Sequence, residues 1–172
     1  EVLLVSGPVS IASPEGCRKV PVESADEMFG AVEQNVHSVD AVVMSAAVAD
    51  YVPVHTAERK MKKADGDLVI EFGRTRDILA AVRGEFDFKG LLVGFAAETE
   101  NLRENALEKM KRKGCDLVVA NDVSRSDIGF DSEYNEVIIL GVDGSEEVVS
   151  RQLKQVVADA ILDAMQCCAA KK

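Results

Sequence analysis

At 172 residues the chain is long enough for one domain with a substantial core, and its formal net charge of −10 at pH 7 speaks against a surface built for nucleic acid or an anionic membrane. Hydrophobic residues make up 47% with no Trp, a mixture rich in Val, Ile, Leu and Ala. That mixture suits helices packed on a parallel sheet and argues against an all-β sandwich.

"VLLVSG" (2–7) reads as a buried strand stopped by Gly7-Pro8. Ser24-Ala25-Asp26-Glu27 has the spacing of a capping box, and Met28, Phe29, Val32 and Val36 follow at helical intervals. "AVVMSAA" (41–47) predicts a strand covered by helices on both faces. A loop follows, ending in Arg59, Lys60, Lys62 and Lys63, and then "DLVIEFG" (67–73) alternates like a half-exposed strand. Thr75 stands where it caps a short helix reaching about residue 84, and "LLVGFAAE" (91–98) reads as a fully buried strand. A helix over about 100–113 ends at Gly114, "DLVVAND" (116–122) supplies another strand, and a polar stretch covers 124–132. Asp143-Gly144 marks a hairpin turn within 135–150. A last helix, about 150–166, is expected to bury Leu153, Val156, Val157, Ala160, Ile161 and Ala164. The order predicts an α/β chain: a Rossmann-like three-layer sandwich with a mostly parallel sheet and a C-terminal antiparallel β-hairpin, as a single domain over 1–172.

Cys17, Cys115, Cys167 and Cys168 form no C-x-x-C pair, and His37 and His55 stand alone, so no protein metal site is predicted. The thiols read as buried, reduced ones in an intracellular protein. No signal peptide and no run of 18 apolar residues appears, so the expected location is the cytoplasm, off the membrane.

In open α/β sheets ligands sit beyond the carboxyl ends of the strands. Three such ends are unusual here: "SAAVAD" and "GFAAET" run into consecutive alanines, and "VVAND" ends in an alanine and two polar residues. Small side chains let a ring or ribose approach the backbone; they also let helices pack on a sheet. Two basic clusters oppose the global charge, Arg59, Lys60, Lys62 and Lys63 in the loop and Lys109, Lys111, Arg112 and Lys113 on the helix. Lys109 and Lys113 share a helix face, which is either phosphate-binding or solvated beside Glu104 and Glu108. The loop cluster predicts a mobile basic lid over a triphosphate. Asp50 is an acceptor for a ribose or a base amino group, or else a turn residue. Asn121 and Asp122 either bind substrate or organise the turn, and Glu98 is a further candidate contact. No G-x-G-x-x-G, no G-x-x-x-x-G-K-[ST] and no nucleophile beside a histidine is present, which weakens dehydrogenase, P-loop and triad-hydrolase readings.

"LLVSGPVSI", "AAVADY", "KMKK", "VGFAAETEN" and "DLVVANDVS" with "IGFDSEYNEVIIL" occur in this order over about residues 2–165. Together they resemble the phosphopantothenate–cysteine ligase family, the phosphopantothenoylcysteine synthetase domain of bacterial bifunctional coenzyme A biosynthesis proteins. The resemblance implies a Rossmann-like homodimer that uses CTP, with Mg²⁺ on the triphosphate, to convert the carboxylate of 4′-phosphopantothenate into an acyl-cytidylate. The amine of cysteine then displaces CMP.

Carried onto this sequence, the resemblance puts Met44, Ser45, Ala46 and Asp50 against cytosine and ribose, with Lys60 as the mobile catalytic lysine. Arg76, Asp77, Ile78 and Leu79 would line the nucleotide pocket, Phe95 would pack on it, and Lys109 and Lys113 would hold phosphates. Ala47, Asn121 and Asp122 become candidates for substrate binding. Family members often carry proline where Arg76 stands. They also begin with an earlier strand, a glycine-rich turn and a substrate-binding segment, so this sequence reads as N-terminally truncated. It is expected to bind CTP weakly and not to turn over alone, with a flavin-dependent decarboxylase half on the full-length chain. The rival readings are a nucleotide-binding regulatory module without chemistry and an NAD(P)-dependent reductase.

Overall fold

In the computed structural model, which describes residues 1–56, 59–61, 67–124 and 132–171, the chain divides into two units. One holds residues 1–34 and 47–78, the other 35–46 and 79–172. The elements in chain order are β1 (Val2–Ser6), β2 (Cys17–Pro21), α1 (Ala25–Asn35), β3 (Ala41–Met44), β4 (Tyr51–Pro53), β5 (Phe72–Arg74) and α2 (Ile78–Gly84). There follow β6 (Leu91–Glu98), α3 (Leu102–Lys113), β7 (Leu117–Asp122), β8 (Tyr134–Gly141), β9 (Glu146–Leu153) and α4 (Lys154–Ala169).

In the first unit β1 and β2 pair in parallel, from Val2↔Cys17 to Ser6↔Pro21. β1 is half-buried where a buried strand is expected, and Val2 is exposed. β2 escapes the sequence reading because "CRKVP" turns only Cys17 and Val20 partly inward. On α1 the Ser24 hydroxyl accepts the Glu27 N–H at 3.1 Å, one arm of the capping box. The other arm is shifted: the Glu27 carboxylate accepts from Glu23 N–H at 2.7 Å, one residue upstream of the usual donor. Met28, Phe29, Ala31 and Val32 form the buried stripe of the helix.

β4 and β5 are antiparallel, Tyr51↔Arg74 to Pro53↔Phe72. The strand expected over 67–73 therefore shrinks and shifts to 72–74. Its partner is only three residues long and lies where composition reads as loop, and Leu68, Val69 and Ile70 remain exposed. Thr75 is not a helix cap. Its N–H donates to Asp50 O at 3.0 Å and its hydroxyl to Ala49 O at 2.7 Å, while α2 starts three residues later.

The second unit is a five-stranded sheet in the order β3-β6-β7-β8-β9. β3, β6 and β7 are parallel, and β8 and β9 add antiparallel. Leu91, Val93, Leu117, Val119, Val137 and Ile139 face α4, which contributes Val157 and Ile161. Strand alternation turns Leu92, Gly94 and Val118 to the opposite face, where Leu79 of α2 and Cys115 after α3 pack onto Gly94. Leu92, Val93, Val118 and Val119 are fully buried, each such side chain stabilising the fold by about 1.5–3 kcal/mol. This is the expected Rossmann-like α/β arrangement with its antiparallel hairpin.

Gly114 takes the left-handed conformation that ends α3, φ 65°, and its N–H reaches Met110 O. β3 stops at Met44, short of residue 47, and Val43 is 45% exposed, so helices do not cover both faces there. The last helix begins at Lys154 because β9 holds residues through Leu153 on β8, and Lys154 N–H then donates to Glu133 O. Leu153 and Val156, expected inside, are exposed; Val157 and Ile161 are buried, with Ala160 and Ala164 partly so. Among the described residues no helix is long and apolar enough to cross a membrane.

Candidate functional site

The β4–β5 ladder does not stop at its last strand residues. Val54 N–H donates to Glu71 O at one end and Thr75 N–H to Asp50 O at the other, both at 3.0 Å. Asp50 thus stands opposite Thr75, and the stretch Arg76-Asp77-Ile78 follows directly. Within the first unit the fold brings these predicted site residues together, with the Asp50 side chain exposed and Ala47 exposed three residues before it.

Arg76 is engaged elsewhere. Its guanidinium carbon lies 3.5 Å from the centroid of the Phe29 ring and its Nη2 is 3.3 Å from Asp26 Oδ1, a cation–π contact beside an ion pair. Arg76 therefore anchors its segment to α1. Ile78 is buried at the start of α2, with Asp77 just before it. Arg59 and Lys60 are exposed; Lys62 and Lys63, the rest of the expected lid, lie outside the described residues.

In the second unit Met44 is the register partner of Gly94. A Cβ on Gly94 would sit 3.0 Å from a Leu79 methyl and 3.1 Å from Cys115 Sγ. The missing side chain is what admits Leu79 and Cys115 to this point of the sheet, the close approach that a glycine inside a buried strand signals. Burial pushes the Cys115 thiol up to about 11, and Lys109, Arg83 and Lys113 pull against it. The two lysines, half-buried and one turn apart, therefore share a neighbourhood with Cys115, Leu79 and Met44. Ser45 and Ala46 continue from β3, both exposed.

Other predicted residues lie apart from this group. Phe95 turns to the opposite face, partly buried on the α4 side of the core. Asn121 and Asp122 pair with Ala97 and Glu98, about 10 Å farther along β6 than Gly94 at ~3.3 Å per residue. Asp122 Oδ1 accepts from the Ser124 N–H at 2.8 Å and the Ser124 hydroxyl at 2.6 Å, which gives its turn role a physical basis. Glu98 accepts from the Asn105 amide at 3.1 Å. Thr75, Asp26, Phe29 and Asn105 are the neighbours that the sequence reading missed. Their partners are 26, 50, 47 and 7 positions away, so local pattern carries no sign of most of them. Among the described residues, no group of three or more His, Cys, Asp or Glu side chains is arranged to hold a metal ion.

Residues 1–168 match the family model of the DNA/pantothenate metabolism flavoprotein C-terminal domain. The chain is 44% identical over 144 residues to the coenzyme A biosynthesis bifunctional protein CoaBC of Bacillus subtilis (strain 168), covering 83% of this chain and 35% of that protein. To the protein of the same name in Escherichia coli (strain K12) it is 40% identical over 165 residues, 94% of this chain and 40% of that one. The chain thus spans two fifths or less of these curated relatives. Among solved structures, the C-terminal domain of CoaBC superposes with a TM-score of 0.83 at 37% identity, over 100% of this chain and 76% of that one.

Proposed function

The chain belongs to the DNA/pantothenate metabolism flavoprotein C-terminal domain family, and on that premise we propose that it is the ligase part of a coenzyme A biosynthesis protein, joining 4′-phosphopantothenate to cysteine at the expense of CTP. The observation that carries this reading is the family match over residues 1–168 together with 40–44% identity to two CoaBC proteins. The grouping of Asp50 with Arg76–Ile78, and of Met44 with Leu79, Lys109 and Lys113, supports it.

In this reading residues 1–172 act as one domain in the cytoplasm, as a homodimer, with a flavin-dependent decarboxylase half elsewhere on the full-length chain. The carboxylate of 4′-phosphopantothenate attacks the α-phosphorus of CTP; a C–O–P link forms and pyrophosphate leaves. The cysteine amine then attacks the acyl carbon, the C–N bond forms, CMP leaves, and the amine loses a proton. Charge develops on the departing pyrophosphate, so a cation set against it does most for the rate. A net charge of −10 supplies none globally. We assign that role to Lys60, whose exposed position suits a group that moves onto bound ligand, with Lys109 and Lys113 as the phosphate-holding pair. From the family resemblance we assign Met44, Ser45, Ala46 and Asp50 to the nucleoside, Asp77, Ile78 and Leu79 to its border, and Ala47, Asn121 and Asp122 to the second substrate; Phe95, which faces α4, is left out. Mg²⁺ arrives as the counter-ion of CTP, held by phosphate oxygens and water.

The test is product formation by the full-length protein given CTP, 4′-phosphopantothenate and cysteine. The expected result is one pyrophosphate and one CMP per amide, with pyrophosphate limited to a single burst when cysteine is withheld. Steady release of pyrophosphate without cysteine, or amide formation that is indifferent to CTP, overturns the reading.

A further inference from the structure

We infer that Thr75 is a positioning residue for Asp50, an assignment that rests on the ligase reading above. One residue holds two successive carbonyls of the loop: the Thr75 hydroxyl donates to Ala49 O at 2.7 Å and its N–H to Asp50 O at 3.0 Å. Among the described residues, the backbone between the end of β3 and the start of β4 belongs to no strand. These two bonds therefore set the peptide planes on both sides of the Asp50 Cα, and with them the direction in which its side chain leaves the backbone.

Thr75 is itself held on both sides. Arg74 is paired with Tyr51 in the β4–β5 ladder. Arg76 lies over the Phe29 ring, which is only 2% exposed, and its Nε and Nη2 reach Asp26 Oδ1 at 3.4 and 3.3 Å. A continuous path runs from the buried stripe of α1 through Arg76 and Thr75 to Ala49 and Asp50. The chemistry asks for a hydroxyl at this position. Valine keeps the shape and loses the donor, serine keeps the donor and loses the methyl, and either one retains the backbone bond to Asp50 O. The hydroxyl is thus separable from the ladder.

The experiment compares Thr75→Val and Thr75→Ser in the full-length protein, each alone and with Asp50→Ala, reading KM for CTP, KM for cysteine and kcat. Loss of the hydroxyl is expected to raise KM for CTP about threefold to tenfold, the worth of one hydrogen bond, and to leave KM for cysteine unchanged. Thr75→Ser stays within about twofold of the parent. In the Asp50→Ala background Thr75→Val adds nothing, because the group it positions is gone. If Thr75→Val does not fold, Thr75→Ala takes its place. A hydroxyl-free variant with the parent's KM for CTP, equal impairment of the serine and valine variants, or full additivity with Asp50→Ala each overturns the inference. A parent enzyme without CTP dependence sinks the ligase reading and this inference with it, whereas a CTP-dependent parent indifferent to Thr75 sinks the inference alone.

Discussion

Arg83 Nη2 lies 2.5 Å from Asp116 Oδ2, and that same oxygen accepts the Leu92 N–H at 2.7 Å. Arg83 Nε also donates to Gly114 O at 2.9 Å and Nη1 to the Phe88 carbonyl. Through its main chain Asp116 gives its N–H to Leu92 O at 2.8 Å and takes that of Val142 at 2.9 Å. One ion pair therefore fastens the end of α2 to the starts of β6 and β7, and every polar atom named has a partner. Such a pair is costly to break because the remaining ion is left in a half-buried place.

Asp116→Ala is accordingly expected to lower stability by roughly 3–5 kcal/mol. Asp116→Asn, which still accepts the Leu92 N–H, is expected to lose about 1–3 kcal/mol. Urea unfolding followed by far-ultraviolet circular dichroism gives both values. Equal losses for the two variants would mean that the retained hydrogen bond contributes nothing once the charge is gone.

Gly94 is expected to tolerate a methyl group poorly. Its Cβ would press on Leu79 and Cys115 at 3.0 and 3.1 Å, so both side chains would have to give by a few tenths of an ångström in a buried place. Gly94→Ala is predicted to cost about 1–3 kcal/mol, and by moving Leu79 to weaken CTP binding. Titration calorimetry on the folded variant measures the second effect. Unchanged affinity would place Leu79 outside the nucleotide pocket.

The second unit was far more legible in the sequence than the first. β6 matches "LLVGFAAE" at both ends, and Gly114 and Gly144 sit at the expected helix end and hairpin turn, both in left-handed backbone, φ 65° and 86°. Buried parallel strands and glycine caps write themselves as continuous apolar runs and single residues. β2, β4 and β5 hold three to five residues each, and their side chains are largely exposed. Their existence depends on a partner strand, not on local pattern. The same holds for β9, whose residues through Leu153 read as the beginning of α4 until β8 is there to pair with them. At the candidate site the sequence indicated Asp50 and the segment after Thr75. The ladder that joins them, and the departure of Arg76 to Phe29, are long-range facts that no window of residues contains.

Cys115 provides a pH signature. Burial raises its thiol from 9.0 to about 11 in the folded protein, against the pull of Lys109, Arg83 and Lys113. Between these values the unfolded chain loses a proton that the native one keeps, so ν_U is below ν_N and stability falls with rising pH. The thiol's contribution is full below pH 9, declines as pH climbs through about 11 and is gone above it. The loss amounts to roughly 2–3 kcal/mol at ~1.4 kcal/mol per unit. Denaturant midpoints measured between pH 8.5 and 11 should fall in the parent and flatten over that window in Cys115→Ala. In the native protein at neutral pH, iodoacetamide should modify the exposed Cys167 and spare Cys115. Modification of Cys115 at the rate of Cys167 would contradict the burial.

Lys60 separates chemistry from binding. If its ammonium meets the triphosphate mainly as pyrophosphate departs, its removal weakens the transition state more than the ground state. Lys60→Ala in the full-length protein is expected to lower kcat by about 10²–10³-fold, the usual effect of losing one preorganised donor to developing charge. The dissociation constant for CTP is expected to rise by less than about tenfold. Single-turnover measurement of acyl-cytidylate formation isolates the affected step: the first half-reaction slows, while a preformed intermediate reacts with cysteine at the parent rate. If CTP affinity and kcat/KM fall by the same factor with kcat unchanged, Lys60 binds nucleotide uniformly and the catalytic cation is another residue. Lys109→Ala and Lys113→Ala, put through the same two measurements, then show which of the two helix lysines carries that charge.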